Sequence, residues 1–89
     1  MKILIVEDDV LLQGGLSQAL SSQGYAVDCA SSAAEADALL HSAQYSLIVL
    51  DLGLPDRDGG DLLRQWRRAG VDLPVLILTA RDALSEIGR

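Results

Sequence analysis

Acidic side chains and one hydroxyl stand where short apolar runs of this sequence end. One run leads into Glu7, Asp8 and Asp9, a second into Asp51, and a third into Thr79. A carboxylate at the tip of a buried segment costs free energy unless something binds it or uses it. Clustered carboxylates also repel one another, and one of them takes up a proton unless a cation neutralises the group. Asp9 is predicted to cap a helix instead.

The residue types indicate phosphoryl chemistry with a hard cation. Carboxylate and hydroxyl oxygens form the environment that Mg²⁺ or Mn²⁺ prefers, and Mg²⁺ commonly serves phosphoryl transfer. A carboxylate beside such an ion can attack phosphorus and form an aspartyl phosphate. Asp51 is therefore the predicted nucleophile. Zinc is disfavoured because His41 lies within a predicted helix and Cys29 is the single cysteine.

Four strands are predicted to position these side chains. Residues 2–6, 46–50 and 74–79 are continuously apolar and rich in β-branched types, as in parallel sheets covered on both faces. Residues 25–29 are half polar and suit a sheet edge. If the first and third strands are neighbours, Glu7, Asp8 and Asp51 converge at one edge of the sheet.

Apolar stripes at helical spacing predict the connecting elements. The stripes are Leu12, Leu16, Ala19 and Leu20; Ala36, Leu39, Leu40 and Ala43 after a capping box at residues 32–35; and Leu62, Leu63, Trp66 and Ala69. A further helix begins within residues 81–88. The fold class is α/β, a flavodoxin-like doubly wound parallel sheet with four strands and about three and a half helices.

The composition of the chain excludes several classes of function. The chain of 89 residues suits one domain, with 49% hydrophobic but only 3% aromatic residues, so its core must be aliphatic. A net charge of −6 argues against nucleic-acid binding by this segment. The single Cys29 allows no internal disulfide and fits a cytoplasmic location. No apolar stretch approaches the roughly 20 residues that span a bilayer, so no membrane partner is expected.

Three motifs resemble a known family. The segments IVEDD, LIVLDLGLPDRDG and PVLILTARD are similar to the three signature blocks of response regulator receiver domains of bacterial two-component systems. The blocks and intervening helices span the chain. The sequences of these segments are most similar to those of regulators with a C-terminal winged-helix DNA-binding domain, of the polymyxin-resistance type.

The resemblance implies roles for the acidic residues. Asp51 would be the phosphoacceptor, and Asp8 would be a direct Mg²⁺ ligand together with Asp51. Glu7 would act on the metal through water, and Gly53 would offer its backbone carbonyl. The implied donor is a sensor histidine kinase. The domain would not be an enzyme in the usual sense, since it assists only its own phosphorylation and dephosphorylation.

The resemblance also assigns the residues around the phosphoryl group. Thr79 would hydrogen-bond that group, and the small Ala80 would leave access to it. Pro55 and Gly59 would shape the loop after the acceptor strand.

By this resemblance, residues 1–89 form a partial receiver domain. The fourth helix would be incomplete, and the fifth strand with its lysine, the fifth helix and any output domain would be absent. Lys2 is the only lysine and lies at the far end of the first strand. The full-length protein would form a homodimer and bind DNA only through the output domain. In this chain the fourth strand would have an unpaired edge and Leu12, Leu16 and Leu20 would be partly uncovered, which predicts self-association or segment swapping.

Three other interpretations of the sequence compete with a receiver domain. A Mg²⁺-dependent aspartate-nucleophile phosphatase of the haloacid dehalogenase type would need a second Asp two residues after Asp51, where the sequence has Gly53. A dinucleotide-binding domain would need a Gly-rich turn after the first strand, where the sequence has Glu-Asp-Asp. A structural fragment that is never phosphorylated is the third alternative.

Overall fold

A parallel sheet with helices on both faces forms the described part of the chain. The computed structural model describes residues 1–78 and the backbone of residues 85 and 86. Its strands are β1 (Lys2–Val6), β2 (Ala26–Ala30), β3 (Leu47–Asp51), β4 (Val75–Leu78) and β5 (Ser85–Glu86), and its helices are α1 (Val10–Ser22), α2 (Ala33–Ser42) and α3 (Gly59–Arg68).

The strand order confirms the flavodoxin-like prediction. The sheet runs β2-β1-β3-β4-β5, with β1 to β4 parallel. Val6 is in register with Leu50, so the carboxyl ends of β1 and β3 lie side by side. The order along the sheet reverses between these two strands, which is where ligands bind in open α/β sheets.

The prediction that a helix begins within residues 81–88 is wrong for residues 85 and 86. Ser85–Glu86 forms the short strand β5, antiparallel to β4, where a helix was predicted. The predicted unpaired edge of β4 is also wrong, because Leu76 and Ile77 pair with Glu86 and Ser85. The outer edge of a strand offers free N–H and C=O groups, and a short extended segment of the same chain can pair with them. The described residues therefore hold three helices and no half helix.

Side chains at the helix starts fix where α1 and α2 begin. Asp9 accepts hydrogen bonds from the backbone N–H groups of Leu11 and Leu12 at 3.0 and 3.2 Å, which confirms it as the cap of α1. Ser32 Oγ accepts from the N–H of Glu35 at 3.1 Å at the start of α2. These caps set the positions of two helices against the carboxyl edge of the sheet.

The core is mainly aliphatic, and it is larger on one face of the sheet than on the other. The larger cluster packs β1, β3 and β4 against α2 and α3 and includes the buried Trp66, whose Nε1 donates to Asp37 Oδ1 at 2.7 Å. The smaller cluster lies under α1, where Leu16 and Leu20 are only half-buried. Leu12 is 41% exposed, in agreement with the expectation that its stripe is partly uncovered.

Within residues 1–78, no helix is both long enough and apolar enough to cross a membrane.

Candidate functional site

Three predicted carboxylates come together at the carboxyl edge of the sheet. Glu7 and Asp8 directly follow β1, and Asp51 is the last residue of β3. One carboxylate oxygen from each residue lies within 4.8 Å of those from the other two. Glu7 is buried, Asp51 is half-buried and Asp8 is exposed, so the cluster opens to solvent on one side. The predicted convergence is confirmed.

Glu7 is held rigidly by backbone and side-chain hydrogen bonds. Its Oε2 accepts from the N–H of Asp9 at 2.9 Å, and its own N–H donates to the carbonyl of Ala30 at 2.9 Å. Gln13 Nε2 donates to the carbonyl of Glu7 at 2.8 Å. Gln13 lies in α1, outside the acidic segments that predict the site, so its contact with Glu7 is visible only in the structure.

The charged forms of Glu7 and Asp51 are disfavoured by burial and by repulsion within the cluster. Burial raises the pKa of Glu7 above its ordinary value, and the nearby charges of Asp51 and Asp8 raise this pKa further. Burial also raises the pKa of Asp51, with a further contribution from the charge of Asp8. Hydrogen bonds from the backbone N–H groups of Gly53 and Leu52 lower the pKa of Asp51 but do not cancel the rise. A cation would relieve this repulsion.

The loop between β3 and α3 folds back against the end of β3. The N–H of Gly59 donates to the carbonyl of Leu52 at 2.9 Å. A Cβ built on Gly59 would lie 2.4 Å from the carbonyl oxygen of Asp51, so only glycine fits there. Gly53 has no such requirement, since its Cβ would lie 3.7 Å from Asp51 Oδ2, an ordinary contact. Pro55 is exposed in the same loop.

No basic side chain contacts the acidic cluster among the described residues. Their ion pairs are Lys2 with Asp28, at 3.3 Å, and Arg64 with Asp61. Lys2 begins β1, at the opposite end of that strand from Glu7. The predicted position of Lys2, at the far end of β1 from the acidic cluster, is confirmed.

Thr79 and Ala80 lie outside the described residues. They follow β4 directly in the sequence, and Leu78 at the end of that strand is in register with Asp51. Their roles stay predictions.

We expect the metal-free protein to lose stability as pH rises from the ordinary pKa values of these acids, 4.5 for Glu7 and 3.8 for Asp51, through their raised values. In that window the folded protein binds more protons than the unfolded chain, so the free energy of unfolding falls with increasing pH. Asp51→Asn removes one charge and should raise the melting temperature at neutral pH. Thermal unfolding in EDTA from acidic to neutral pH measures both effects.

Asp9→Asn is the matched control for this stability prediction, because Asp9 caps α1 and asparagine caps equally well. It should leave the melting temperature at neutral pH close to that of the wild type. An Asp51→Asn protein that melts at or below the wild-type temperature at neutral pH would contradict the electrostatic account.

Fold and site together define an α/β domain of the flavodoxin-like class, with an acidic crevice at the switch point of the sheet. The model of the response regulator receiver domain matches residues 3–89. The chain belongs to this family, and the predicted family and fold are confirmed.

Relatives of known name cover most of this chain. It is 64% identical over 86 residues to the transcriptional regulatory protein PmrA of Pectobacterium parmentieri, a match that covers 97% of this chain and 39% of the relative. The non-phosphorylated HemR receiver domain from Leptospira biflexa superimposes with a TM-score of 0.82 at 41% identity, over 90% of this chain and 64% of that one. The response regulator TrrA from Thermotoga maritima, in complex with Mg²⁺ and BeF, superimposes with a TM-score of 0.83 at 30% identity. The match covers 89% of this chain and 69% of the TrrA chain. The chain thus spans well under half the length of PmrA.

Proposed function

We propose that this domain accepts a phosphoryl group on Asp51 from the phosphohistidine of a sensor kinase. One observation carries the proposal: Asp51 ends β3 within 4.8 Å of Glu7 and Asp8, in a crevice open to solvent. Family membership supports it, because receiver domains are regulatory phosphoacceptors.

The chemistry balances with Asp51 as the nucleophile. A carboxylate oxygen of Asp51 forms a bond to phosphorus, the P–N bond to the donor histidine breaks, and the imidazole leaves with that electron pair. The product is an acyl phosphate. Attack of water on phosphorus later returns the carboxylate and releases inorganic phosphate. In this scheme the domain assists both steps without being an enzyme that turns over a separate substrate.

The acidic cluster fits Mg²⁺, or Mn²⁺ with the same oxygen ligands. Oxygens on opposite sides of a Mg²⁺ ion lie about 4.2 Å apart, and three carboxylate oxygens within 4.8 Å need only small shifts to reach one ion. Asp8 and Asp51 would bind directly, with the carbonyl of Gly53, and Glu7 would act through water. When bound, the ion would screen the repulsion between the acceptor carboxylate and the incoming phosphoryl oxygens. The TrrA complex with Mg²⁺ and BeF supports this assignment.

We expect Asp8→Ala to weaken Mg²⁺ binding by more than about tenfold, as the loss of a charged ligand should cost at least as much as the loss of a group that supports one. Backbone amide signals of residues at the ends of β1 and β3, followed by NMR during a Mg²⁺ titration, measure the affinity. Asp9→Asn, on the same edge of the sheet, should bind as the wild type does. Equal Mg²⁺ affinity in Asp8→Ala and wild type would remove Asp8 from the site.

The proposal extends to the whole protein through the relatives. Since PmrA is a transcriptional regulatory protein, we propose a winged-helix output domain that binds DNA, a homodimer of the full-length protein and a cytoplasmic location, which the lone thiol Cys29 fits. Residues 1–89 would be a partial receiver domain, in line with their 64% coverage of the HemR chain. Thr79 would turn toward the phosphoryl group, with Ala80 leaving access to it. Self-association of the 89-residue chain stays a prediction.

The phosphatase alternative is not favoured. Such an enzyme needs an acid two residues after its nucleophile, and Gly53 has no side chain to supply a proton.

A further inference from the structure

Asp56 joins the loop after the acceptor strand to the start of α2. One of its carboxylate oxygens accepts from the N–H of Ala33 at 2.9 Å, and the other accepts from the N–H of Ala34 at 3.1 Å. These contacts cross more than 20 residues of sequence. Each is a charge-assisted hydrogen bond to a helix N-terminus, where the macrodipole favours a negative group.

The contact of Asp56 does more than complete the cap of α2. Ser32 already caps α2 by accepting from the N–H of Glu35 at 3.1 Å. Ala34 is exposed, so water could satisfy its N–H if Asp56 were absent, whereas Ala33 is buried and its N–H depends on Asp56. The carboxylate therefore satisfies one buried donor of α2 and at the same time joins that helix to the loop after β3.

The other contacts of the loop do not fix its orientation relative to α2. Residues 53 and 58 form an isolated antiparallel bridge, and the N–H of Gly59 donates to the carbonyl of Leu52, but both contacts lie between the loop and its own ends. Leu54 is buried at 8% exposure in the large core cluster, an apolar contact without directional preference. Among the side-chain hydrogen bonds of the described residues, those of Asp56 tie the loop to another helix.

Gly53 is the part of this loop that faces the site. Its Cα lies close enough to the Asp51 carboxylate that an added Cβ would be 3.7 Å from Asp51 Oδ2. Asp56 is three residues further along, so a rotation of the loop about the end of β3 would move both residues together. Fixing Asp56 on α2 therefore fixes the backbone of Gly53 beside Asp51.

We propose that Asp56 is a positioning residue, which holds the β3–α3 loop against α2 so that the backbone of Gly53 stays in place beside Asp51. The proposal deepens the proposed function, on which it rests for the role of Gly53 at the metal. Asp56 itself touches neither the metal nor the phosphoryl group, and it acts through the loop backbone.

Asp56→Ala and Ser32→Ala separate positioning from capping. Both variants remove a side chain that accepts from the first turn of α2, but only the first releases the loop. We expect Asp56→Ala to displace the Gly53 amide signal of the metal-free protein and to weaken Mg²⁺ binding about three- to tenfold. This is less than the roughly 10- to 100-fold typical of groups that touch a ligand, because Asp56 acts at a distance. Ser32→Ala should lower the melting temperature without either effect.

Two further measurements keep the test decisive. Asp56→Asn retains one acceptor oxygen and should give smaller changes of the same kind, even if Asp56→Ala does not fold. The Mg²⁺ titrations are repeated at high salt, because a change caused only by the lost charge of this exposed side chain would be screened, whereas misplacement of Gly53 persists.

The proposal is overturned if the Gly53 signal is unmoved in both Asp56 variants, or if Ser32→Ala displaces it equally. It is also overturned if the Mg²⁺ effect vanishes at high salt. A wild-type protein that binds no Mg²⁺ would instead refute the metal part of the proposed function. The comparison of Gly53 signals without metal would then still decide the role of Asp56.

Discussion

Gly59→Ala is expected to destabilise the fold by about 1–3 kcal/mol or more, as overpacking a close contact does. The new Cβ would lie 2.4 Å from the carbonyl oxygen of Asp51 and 2.7 Å from the Cα of Leu52. Both atoms belong to the backbone, so no flexible side chain can move aside. The clash must separate the start of α3 from the end of β3, which carries Asp51. Urea unfolding of the two proteins measures the loss.

Gly14→Ala is the matched control for this prediction. Gly14 lies within α1, and a Cβ built there meets no atom within 4 Å. The same substitution should therefore stabilise the protein by up to about 1 kcal/mol through helix propensity. The two variants are expected to differ in sign. A Gly59→Ala protein as stable as the wild type would show that the loop can move away from β3 at little cost.

The sheet and the convergence of the acids could be predicted because they depend on local patterns and one topological rule. Continuous apolar runs mark strands buried on both faces, and the half-polar β2 proves to be an edge strand. Once β1 and β3 are neighbours, the residues after them must meet, as Glu7, Asp8 and Asp51 do.

The contacts that hold the site could not be predicted in the same way. Asp56 meets α2 across more than 20 residues, and nothing in the local sequence distinguishes it from the exposed acids around it. The requirement for glycine at residue 59 depends on how closely α3 approaches β3, which no sequence pattern records. The strand at Ser85–Glu86 depends on the free edge of β4, so tertiary context overrides the helical pattern there.

Asp51→Asn is expected to abolish phosphoryl uptake. A neutral amide is a far weaker nucleophile than a carboxylate, and an acyl phosphate cannot form on it. Glu7 lies in the same cluster, but it is buried and its Oε2 already accepts from the N–H of Asp9, so it should not replace Asp51. Asp9→Asn is the control, because it makes the same chemical change on the same edge of the sheet while preserving the cap of α1.

Intact mass after incubation with Mg²⁺ and acetyl phosphate tests Asp51 as the phosphoacceptor most directly. The wild type and Asp9→Asn are each expected to gain the mass of one phosphoryl group. That gain should be absent in Asp51→Asn and in wild-type protein treated with EDTA. An adduct that forms equally in Asp51→Asn, or a wild-type protein that gains none, would contradict the account.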